Sequence, residues 1–295
     1  MNVSGIITAL VTPFDDDGKI AESSLRDIVE FQIREGVNGF FPCGSTGQVA
    51  LMSLQERERV AEIVVEETRG RIPVIVQVGC PDTASTVRLA KHAERIGADA
   101  IGCVSPYYYS SIDEESILEH FRLVAESVAI PVFIYNIPRY TGINLRPALV
   151  SRIAEIKSVV GIKDSSHDFT QLLSLLGTMP EDFSVINGSD ASIFPAIIMG
   201  ANGAVAASAN AVPEICTDIY RSAISGNHAA AVRQQFRLNT LLPTLNKPPI
   251  APLMECLRLR GMKSGKVRRP LRELSEREAS RVAVSLRGAG ILVEA

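Results

Sequence analysis

The sequence has no excess of basic residues. Its 30 lysines and arginines stand against 33 aspartates and glutamates, for a formal net charge of -3. Nucleic-acid-binding proteins are recognised by a basic balance or a basic patch, so that class is not expected. No apolar run approaches the roughly 20 residues that a membrane span requires. The N-terminus, Met1-Asn2-Val3-Ser4-Gly5, has no basic region leading into an apolar stretch, so no signal peptide is predicted.

Cysteine is scarce and scattered. The five cysteines are odd in number and form no Cys-x-x-Cys pair; they are Cys43, Cys80, Cys103, Cys216 and Cys256. This usage indicates a reduced, cytoplasmic protein without a zinc or iron–sulfur site. A Gly-x-Gly-x-x-Gly or Walker-type phosphate loop is also missing, which argues against nucleotide chemistry.

What the sequence does contain is a regular alternation of strand and helix patterns. Eight short apolar runs are predicted as strands: 6–11, 39–41, 74–78, 100–104, 132–135, 159–163, 183–187 and 203–207. Amphipathic stretches at helical spacing lie between them, and Ser53 with Glu56 is predicted to form a capping box. Eight such units favour a (β/α)₈ TIM barrel over an open doubly wound sheet, which has fewer units and a reversal of strand order.

Further helical patterns follow the eighth strand. They cover 214–225, 228–241, 250–260 and 275–288, with Pro243, Pro248 and Pro249 as expected breaks. We therefore expect a barrel in residues 1–225 and a C-terminal helical extension in residues 226–295.

A lysine ends the sixth predicted strand. The run Val159-Val160-Gly161-Ile162-Lys163-Asp164 is apolar on consecutive positions, which is typical of a strand buried on both faces. Apolar surroundings lower the pKa of a lysine, and an uncharged amine can attack a ketone to form a Schiff base. The alternative is a structural lysine whose stem is buried and whose ammonium reaches solvent.

In a (β/α)₈ barrel, the residues at the C-terminal ends of the strands carry the chemistry. Besides Lys163, those positions hold mainly hydroxyls, phenols and small residues: Gly44-Ser45-Thr46-Gly47, Tyr107-Tyr108, Tyr135-Asn136, Gly188-Ser189-Asp190, Ser208 and Asn210. Schiff-base formation moves a proton at each step, and phenols and hydroxyls can carry it. No strand end offers a histidine–carboxylate cluster, so no metal site is expected.

Three of these motifs together resemble one family. Gly44-Ser45-Thr46-Gly47, Tyr135-Asn136-Ile137-Pro138 and Gly161-Ile162-Lys163-Asp164 are similar to the motifs of the dihydrodipicolinate synthase / N-acetylneuraminate lyase family, in the same order. The resemblance runs from Ile6 to about Leu292. It implies a class I, Schiff-base-forming, pyruvate-dependent aldolase on a TIM barrel, with no metal and no organic cofactor.

The resemblance also implies roles for individual residues. Lys163 corresponds to the Schiff-base lysine and Tyr135 to the acid/base phenol beside it. Ser45 matches a hydroxyl that links Tyr135 to a second tyrosine. That tyrosine corresponds to Tyr108, which family members insert into the site of a neighbouring subunit. A homotetramer, or at least a dimer, is therefore expected.

Substrate contacts are implied in the same way. Ser45 and Thr46 are expected to hold the pyruvate carboxylate, and Gly188 to offer its backbone carbonyl. Tyr140 and Ser208 are further candidates for contact with the substrate.

Two positions depart from the family pattern. The synthases usually carry an arginine where this chain has Tyr140, and it helps to bind the carboxylate of their aldehyde substrate. Arg139 is one residue early, and on an extended segment its side chain would point to the opposite side. Gln48 stands where most members have a glutamate.

Three runs instead resemble the 2-keto-3-deoxy-sugar-acid aldolases: Pro106-Tyr107-Tyr108-Tyr109, Asn187-Gly188-Ser189-Asp190 and Ala207-Ser208-Ala209-Asn210. The resulting hypothesis is a carbon–carbon lyase that joins a 2-oxo acid to a neutral or polyhydroxylated aldehyde, or cleaves the product. The alternatives are dihydrodipicolinate synthase acting on pyruvate and aspartate semialdehyde, a dehydratase or hydratase-aldolase, and a non-catalytic 2-oxo-acid binding protein.

Other polar candidates carry less weight. His92, His120 and His228 lie on predicted helices and are expected at the surface or in caps, while His167 follows Lys163 closely. The cluster of Lys263, Lys266, Arg268 and Arg269 is interpreted as a solvated loop.

Overall fold

Eight parallel strands form the sheet of this protein, whose computed structural model describes residues 3–247 and 249–292. The strands are β1 (Gly5–Thr8), β2 (Gly39–Phe40), β3 (Ile75–Gln77), β4 (Ala100–Val104), β5 (Val132–Asn136), β6 (Val159–Asp164), β7 (Ser184–Asn187) and β8 (Gly203–Ala206). Their order is β2-β1-β8-β7-β6-β5-β4-β3. A parallel bridge between Phe40 and Val74 joins the two outer strands and closes the barrel. The predicted (β/α)₈ fold is confirmed.

Twelve α-helices lie within the described ranges. They are α1 (Glu22–Arg34), α2 (Leu54–Thr68), α3 (Thr83–Arg95), α4 (Glu114–Glu126), α5 (Pro138–Thr141), α6 (Pro147–Ala154), α7 (Phe169–Thr178), α8 (Ile193–Ile198), α9 (Pro213–Ile224), α10 (His228–Leu245), α11 (Ala251–Leu259) and α12 (Glu276–Gly288). The predicted capping box at the start of α2 is present: Ser53 accepts from the Glu56 amide, and Glu56 accepts from the Ser53 amide.

Two local predictions about proline were wrong. Pro243 does not break a helix but lies inside α10. Pro243 is exposed and lies two residues before the end of that helix. The backbone hydrogen bond that proline cannot donate is therefore lost only in the last turn. The segment after β5 was expected to be extended, but Pro138 begins the short helix α5. Pro249 does precede a helix, α11, as expected, whereas Pro248 lies outside the described residues.

The core has two layers, one inside the barrel and one between the strands and the helices. Because side chains alternate along a strand, neighbouring residues belong to different layers. On β5, Phe133 and Tyr135 belong to the cluster inside the barrel, while Val132 and Ile134 belong to the cluster between strands and helices. Each fully buried aliphatic or aromatic side chain contributes about 1.5–3 kcal/mol. Side chains alternate along β6 in the same way. Ile162 belongs to the outer layer, so the next side chain, that of Lys163, faces the barrel interior.

The C-terminal helices pack onto the barrel. Helix α10 lies along α9 and also contacts α8, and α11 contacts α12. The segment between α10 and α11 brings Pro249 and Ile250 to the mouth of the barrel, where they line the same cavity as Lys163. Among the described residues, no helix combines the length and apolar character needed to cross a membrane.

Candidate active site

Lys163 and Tyr135 are direct partners across β5 and β6. The Lys163 Nζ atom lies 4.0 Å from the centre of the Tyr135 ring and 4.2 Å from the centre of the Phe41 ring. Lys163 is only 5% exposed. The amine therefore lies between two aromatic faces at the C-terminal end of the barrel.

Burial changes the charge of this amine. Desolvation lowers the pKa of Lys163 to about 7, although the negative charge of Asp190 acts in the opposite direction. Aromatic faces stabilise a cation only in part, and they cannot replace the lost water. A substantial share of the Lys163 side chains is therefore uncharged and nucleophilic at neutral pH.

Tyr135 remains a protonated phenol over the same range. Desolvation raises its pKa to about 12, against the hydrogen bond with Ser45, which lowers it. The Tyr135 Oη and Ser45 Oγ atoms are 3.4 Å apart, and either can be the donor. Ser165 is a second hydroxyl that acts on the pKa of this phenol. Two hydroxyls thus flank the acid group beside the amine.

Gly188 lies where β7 passes close to the residues after Lys163. Its amide donates to the Asp164 carbonyl at 2.7 Å, and its carbonyl accepts from Ser165 Oγ at 3.4 Å. A Cβ atom at position 188 would lie 2.0 Å from Ser165 Oγ, so only glycine fits there. This close approach holds the Gly188 carbonyl at the cavity wall.

Two adjoining cavities open at this end of the barrel. The first, here called the lysine cavity, has a volume of about 180 Å³, and its lining includes Lys163, Thr46, Ser165, Gly188 and Asp190. The second, here called the apolar cavity, has a volume of about 390 Å³, and its lining includes Val49, Leu51, Val104, Tyr107 and Leu271. Six residues line both: Ser45, Tyr135, Ile137, Tyr140, Pro249 and Ile250.

Arg139 and Tyr140 both line the lysine cavity. The expectation that Arg139 points away was wrong, because it assumed an extended segment and these residues lie in helix α5. Neighbouring side chains on a helix are about 100° apart rather than opposite. The Arg139 guanidinium is 5.4 Å from the centre of the Tyr140 ring, so both side chains lie at the cavity rim.

Tyr108 and Ser208 lie apart from this group. Tyr108 is 84% exposed, has φ 83° and contacts Tyr109 edge-on, and it does not line the lysine cavity of its own chain. Ser208 is buried, and both its amide and its hydroxyl donate to Asp190 Oδ1. The Ser208 hydroxyl is therefore occupied within the protein.

A buried polar network supports the site from behind. Asn136 Nδ2 donates to Asp164 Oδ1 at 2.7 Å and to Asn144 Oδ1 at 2.9 Å, and Ser166 Oγ donates to Asp164 Oδ2 at 2.6 Å. Burial raises the pKa of Asp164, although the hydrogen bonds from Ser166 and Asn136 act in the opposite direction. The network fixes the ends of β5 and β6, which carry Tyr135 and Lys163.

The remaining polar candidates differ in part from expectation. His92 and His120 are buried rather than at the surface, because each lies on the inner face of its helix. His228 is exposed at the first position of α10, whereas His167 lines the lysine cavity. Among residues 3–247 and 249–292, no group of three or more histidine, cysteine, aspartate or glutamate side chains is placed to hold a metal ion.

The predicted solvated basic cluster was wrong for Arg268. Its guanidinium donates to both carboxylate oxygens of Glu56 and to the Leu51 carbonyl, and it lies 4.0 Å from the centre of the Phe14 ring. Gln48 also binds this part of the chain. Its Oε1 accepts from the backbone amide of Arg268, and its Nε2 donates to the Thr12 carbonyl. Gln48 thus joins the Ser45–Gly47 turn to the C-terminal region.

Comparison with known proteins fits this architecture. The model of the dihydrodipicolinate synthetase family matches residues 2–289. The chain is 35% identical over 291 residues to 4-hydroxy-tetrahydrodipicolinate synthase of Acetivibrio thermocellus, covering 98% of each chain. It is 36% identical over 281 residues to the synthase of Methanothrix thermoacetophila, covering 94% of each.

Solved structures agree. The crystal structure of YagE, an E. coli K12 prophage protein of the dihydrodipicolinic acid synthase family in complex with pyruvate, superimposes with a TM-score of 0.94 at 29% identity, covering 98% of this chain and 99% of that one. Dihydrodipicolinate synthase from Aquifex aeolicus gives 0.92 at 29% identity, covering 99% and 100%.

Fold and matches together define a (β/α)₈-barrel class I aldolase, an enzyme that makes or breaks carbon–carbon bonds. The chain belongs to the dihydrodipicolinate synthetase family, whose members use pyruvate and an aldehyde.

Several cavity residues had no predicted role. Ser165 could have been found, because it lies two residues after Lys163 and alternation places it on the same side of the strand. Asp190 was noted at a strand end, but its charge alone did not indicate that it faces the lysine. Pro249 and Ile250 carried no local signal, since their approach to the barrel depends on the packing of α10 and α11.

Proposed function

We propose that Lys163 captures pyruvate as a Schiff base and that the resulting enamine adds to an aldehyde. The observation that carries this proposal is the buried Lys163 amine, whose pKa is lowered to about 7 beside the Tyr135 phenol. An ordinary lysine is uncharged in only about one molecule in several thousand at neutral pH. Burial therefore raises the reactive fraction far above that of an ordinary lysine.

The bond changes follow from these positions. The Lys163 nitrogen attacks C2 of pyruvate and one of its two protons passes to the former ketone oxygen, which gives a carbinolamine. A second proton, from the Tyr135 phenol, lets this hydroxyl leave as water and gives the protonated imine. The protonated imine draws electrons from C3, which loses a proton to give the enamine. C3 then forms a bond to the aldehyde carbon as the aldehyde oxygen takes up a proton and becomes a hydroxyl, and attack of water on the imine carbon releases the product and returns the amine. The Tyr135 phenol, in contact with Ser45, gives and takes the protons.

Thr46, Ser45 and Gly188 are proposed to hold the pyruvate. Ser45 and Thr46 line the lysine cavity on the side of Tyr135, and their amides and hydroxyls suit a carboxylate. The Gly188 carbonyl is an acceptor on the opposite strand end and suits a hydroxyl of the carbinolamine.

The aldehyde partner proposed first is aspartate semialdehyde. Arg139 places a guanidinium on the rim of the lysine cavity, where it can pair with the single carboxylate of that substrate. The curated relatives cited above are named 4-hydroxy-tetrahydrodipicolinate synthase, which supports the same choice. This partner corresponds to one of the alternatives from the sequence.

A neutral, polyhydroxylated aldehyde is the second candidate. Tyr140, which replaces the usual arginine and lines both cavities, favours it. The Ser208 hydroxyl does not add to it, because that group is bonded to Asp190.

We also propose a homotetramer built from dimers in which the partner subunit's Tyr108 enters the apolar cavity. In the single chain Tyr108 is 84% exposed, and the apolar cavity includes Ser45, the hydroxyl to which the partner's Tyr108 would connect. A cytoplasmic location is proposed because all five cysteines are buried and free.

The aldehyde is tested by a panel assayed with pyruvate. Aspartate semialdehyde, glyceraldehyde and N-acetylmannosamine are compared in the wild type and in Arg139→Gln, with product mass as the readout. We expect the highest kcat/KM with aspartate semialdehyde and a loss of about tenfold or more in Arg139→Gln for that substrate alone. Equal losses for all three aldehydes would refute the role of Arg139. A preference for glyceraldehyde would establish the second candidate.

A further inference from the structure

Ile250 has a backbone conformation that branched residues rarely adopt. Its φ is 70° and its ψ is −48°, and the Ala251 amide donates to the Pro249 carbonyl at 2.8 Å across it. This geometry is a γ-turn with positive φ, which is uncommon and strained. A β-branched side chain adds to that strain, because positive φ brings Cβ against the backbone.

The surroundings hold the turn in place. Pro249 restricts the chain on one side, and on the other the Ile250 carbonyl accepts from the Leu253 and Met254 amides where α11 begins. Leu253 and Met254 are buried, so α11 is anchored in the core. Backbone strain that the surrounding structure retains is concentrated at functional sites, which makes Ile250 a candidate for a functional residue.

The side chain of Ile250 lies between the two cavities. It is one of six residues that line both the lysine cavity and the apolar cavity, and only Ile250 and Pro249 among them come from the C-terminal region. The lysine cavity is small, about 180 Å³, and pyruvate bound to Lys163 takes up part of it. The space that remains for the aldehyde is therefore limited by the wall to which Ile250 belongs.

We propose that Ile250 is a specificity-determining residue, which limits the length of the aldehyde by closing the lysine cavity on the side of the apolar cavity. This inference rests on the proposed Schiff-base reaction at Lys163. With the positive φ of the turn, the branched side chain of Ile250 forms part of the wall between the two cavities. A backbone with negative φ would give this side chain a different direction. The substrates that fit are short aldehydes of about the size of aspartate semialdehyde or glyceraldehyde.

Ile250→Ala and Ile250→Gly test the proposal in the full-length protein. Both remove the branched side chain, and we expect kcat/KM for a long aldehyde, N-acetylmannosamine, to rise at least severalfold relative to glyceraldehyde. Leu271→Ala is the matched control, because Leu271 lines only the apolar cavity. It removes apolar volume without opening the lysine cavity, so its aldehyde preference should equal that of the wild type.

The two Ile250 variants also test the strain. Glycine adopts positive φ freely, whereas alanine does not, so Ile250→Gly should melt at the same temperature as Ile250→Ala or higher. On an unstrained backbone the order would be reversed. That reversal would show that the turn stores no strain and would overturn this part of the inference.

Borohydride trapping with pyruvate separates the inference from the function on which it rests. If wild type and variants all trap pyruvate on Lys163 and the ratio of the two kcat/KM values is unchanged in both Ile250 variants, the specificity role is refuted. If the wild type itself traps no pyruvate, the proposed function fails instead. An equal shift in Leu271→Ala would also refute the assignment to Ile250.

Discussion

Lys163 and Tyr135 face each other across two neighbouring parallel strands, with the amine nitrogen 4.0 Å from the centre of the phenol ring. Substitution can separate the contributions of the ring and of its hydroxyl. The face of the ring covers the amine, and the hydroxyl, in contact with Ser45, is proposed to supply protons.

Tyr135→Phe keeps the ring and removes the hydroxyl. We expect kcat to fall by about 10²–10⁴-fold, the usual contribution of a positioned acid or base. The pKa of Lys163 should stay low, because the desolvating ring is still present. Steady-state kinetics gives the first quantity and the pH dependence of trapping gives the second. Ser45→Ala should have a smaller effect, and a Tyr135→Phe variant with near-native kcat would exclude the phenol from proton transfer.

The pH dependence of the reaction should report the buried amine. Because the pKa of Lys163 is lowered to about 7, kcat/KM for pyruvate should rise with pH through the neutral range and then level off. The charge of Asp190 raises that pKa, so Asp190→Asn should move the rising limb to lower pH while leaving an acceptor for the Ser208 amide and hydroxyl. A limb that stays in place, or moves to higher pH, would show that Asp190 does not act on the amine.

Glu56 and Arg268 form one of the ion pairs that tie the C-terminal region to the barrel. Arg268 lowers the pKa of Glu56 to about 2, so the pair stabilises the fold above the ordinary pKa of 4.5 and loses that effect as pH falls through about 2. Glu56→Gln should cost about 1–3 kcal/mol in the free energy of unfolding at neutral pH, since Arg268 is left half-satisfied. Chemical denaturation at neutral pH measures this change.

The same variant should show a weaker dependence on acid than the wild type between pH 4.5 and 2. Glu119→Gln is the control, because its partner Arg122 and the carboxylate itself are exposed on α4. That change should leave the denaturation midpoint as it is. An equal loss in both variants would mean that the Arg268 contact contributes no more than a surface pair.

Tyr135 and Lys163 were predicted at the ends of the fifth and sixth strands, and the family resemblance implied that the phenol lies beside the amine. The topology of the barrel explains why they meet. Consecutive strands of a (β/α)₈ barrel are neighbours, so the ends of the fifth and sixth strands must meet. The position of Arg139 was not predictable in the same way, because four residues are too few to show a helical period. The burial of His92 and His120 depends on which face of α3 and α4 the barrel covers.

The C-terminal residues that line the site could not be predicted from local sequence patterns. Ile250 is 87 positions from Lys163 in the sequence, and only the packing of α10 and α11 brings the two to one cavity. The division into residues 1–225 and 226–295 stays a proposal. The contacts of Arg268 and Ile250 show that the second part supplies residues to the mouth of the first.

Trapping of the covalent intermediate tests the central claim most directly. The full-length protein is treated with pyruvate and borohydride and digested, and the modified peptide is identified by mass. The reduced adduct is expected on the peptide that contains Lys163. Lys163→Ala should fold, since it removes a buried amine that is costly to desolvate, but it should give neither adduct nor turnover. An adduct on another lysine, or near-native turnover in Lys163→Ala, would contradict the account.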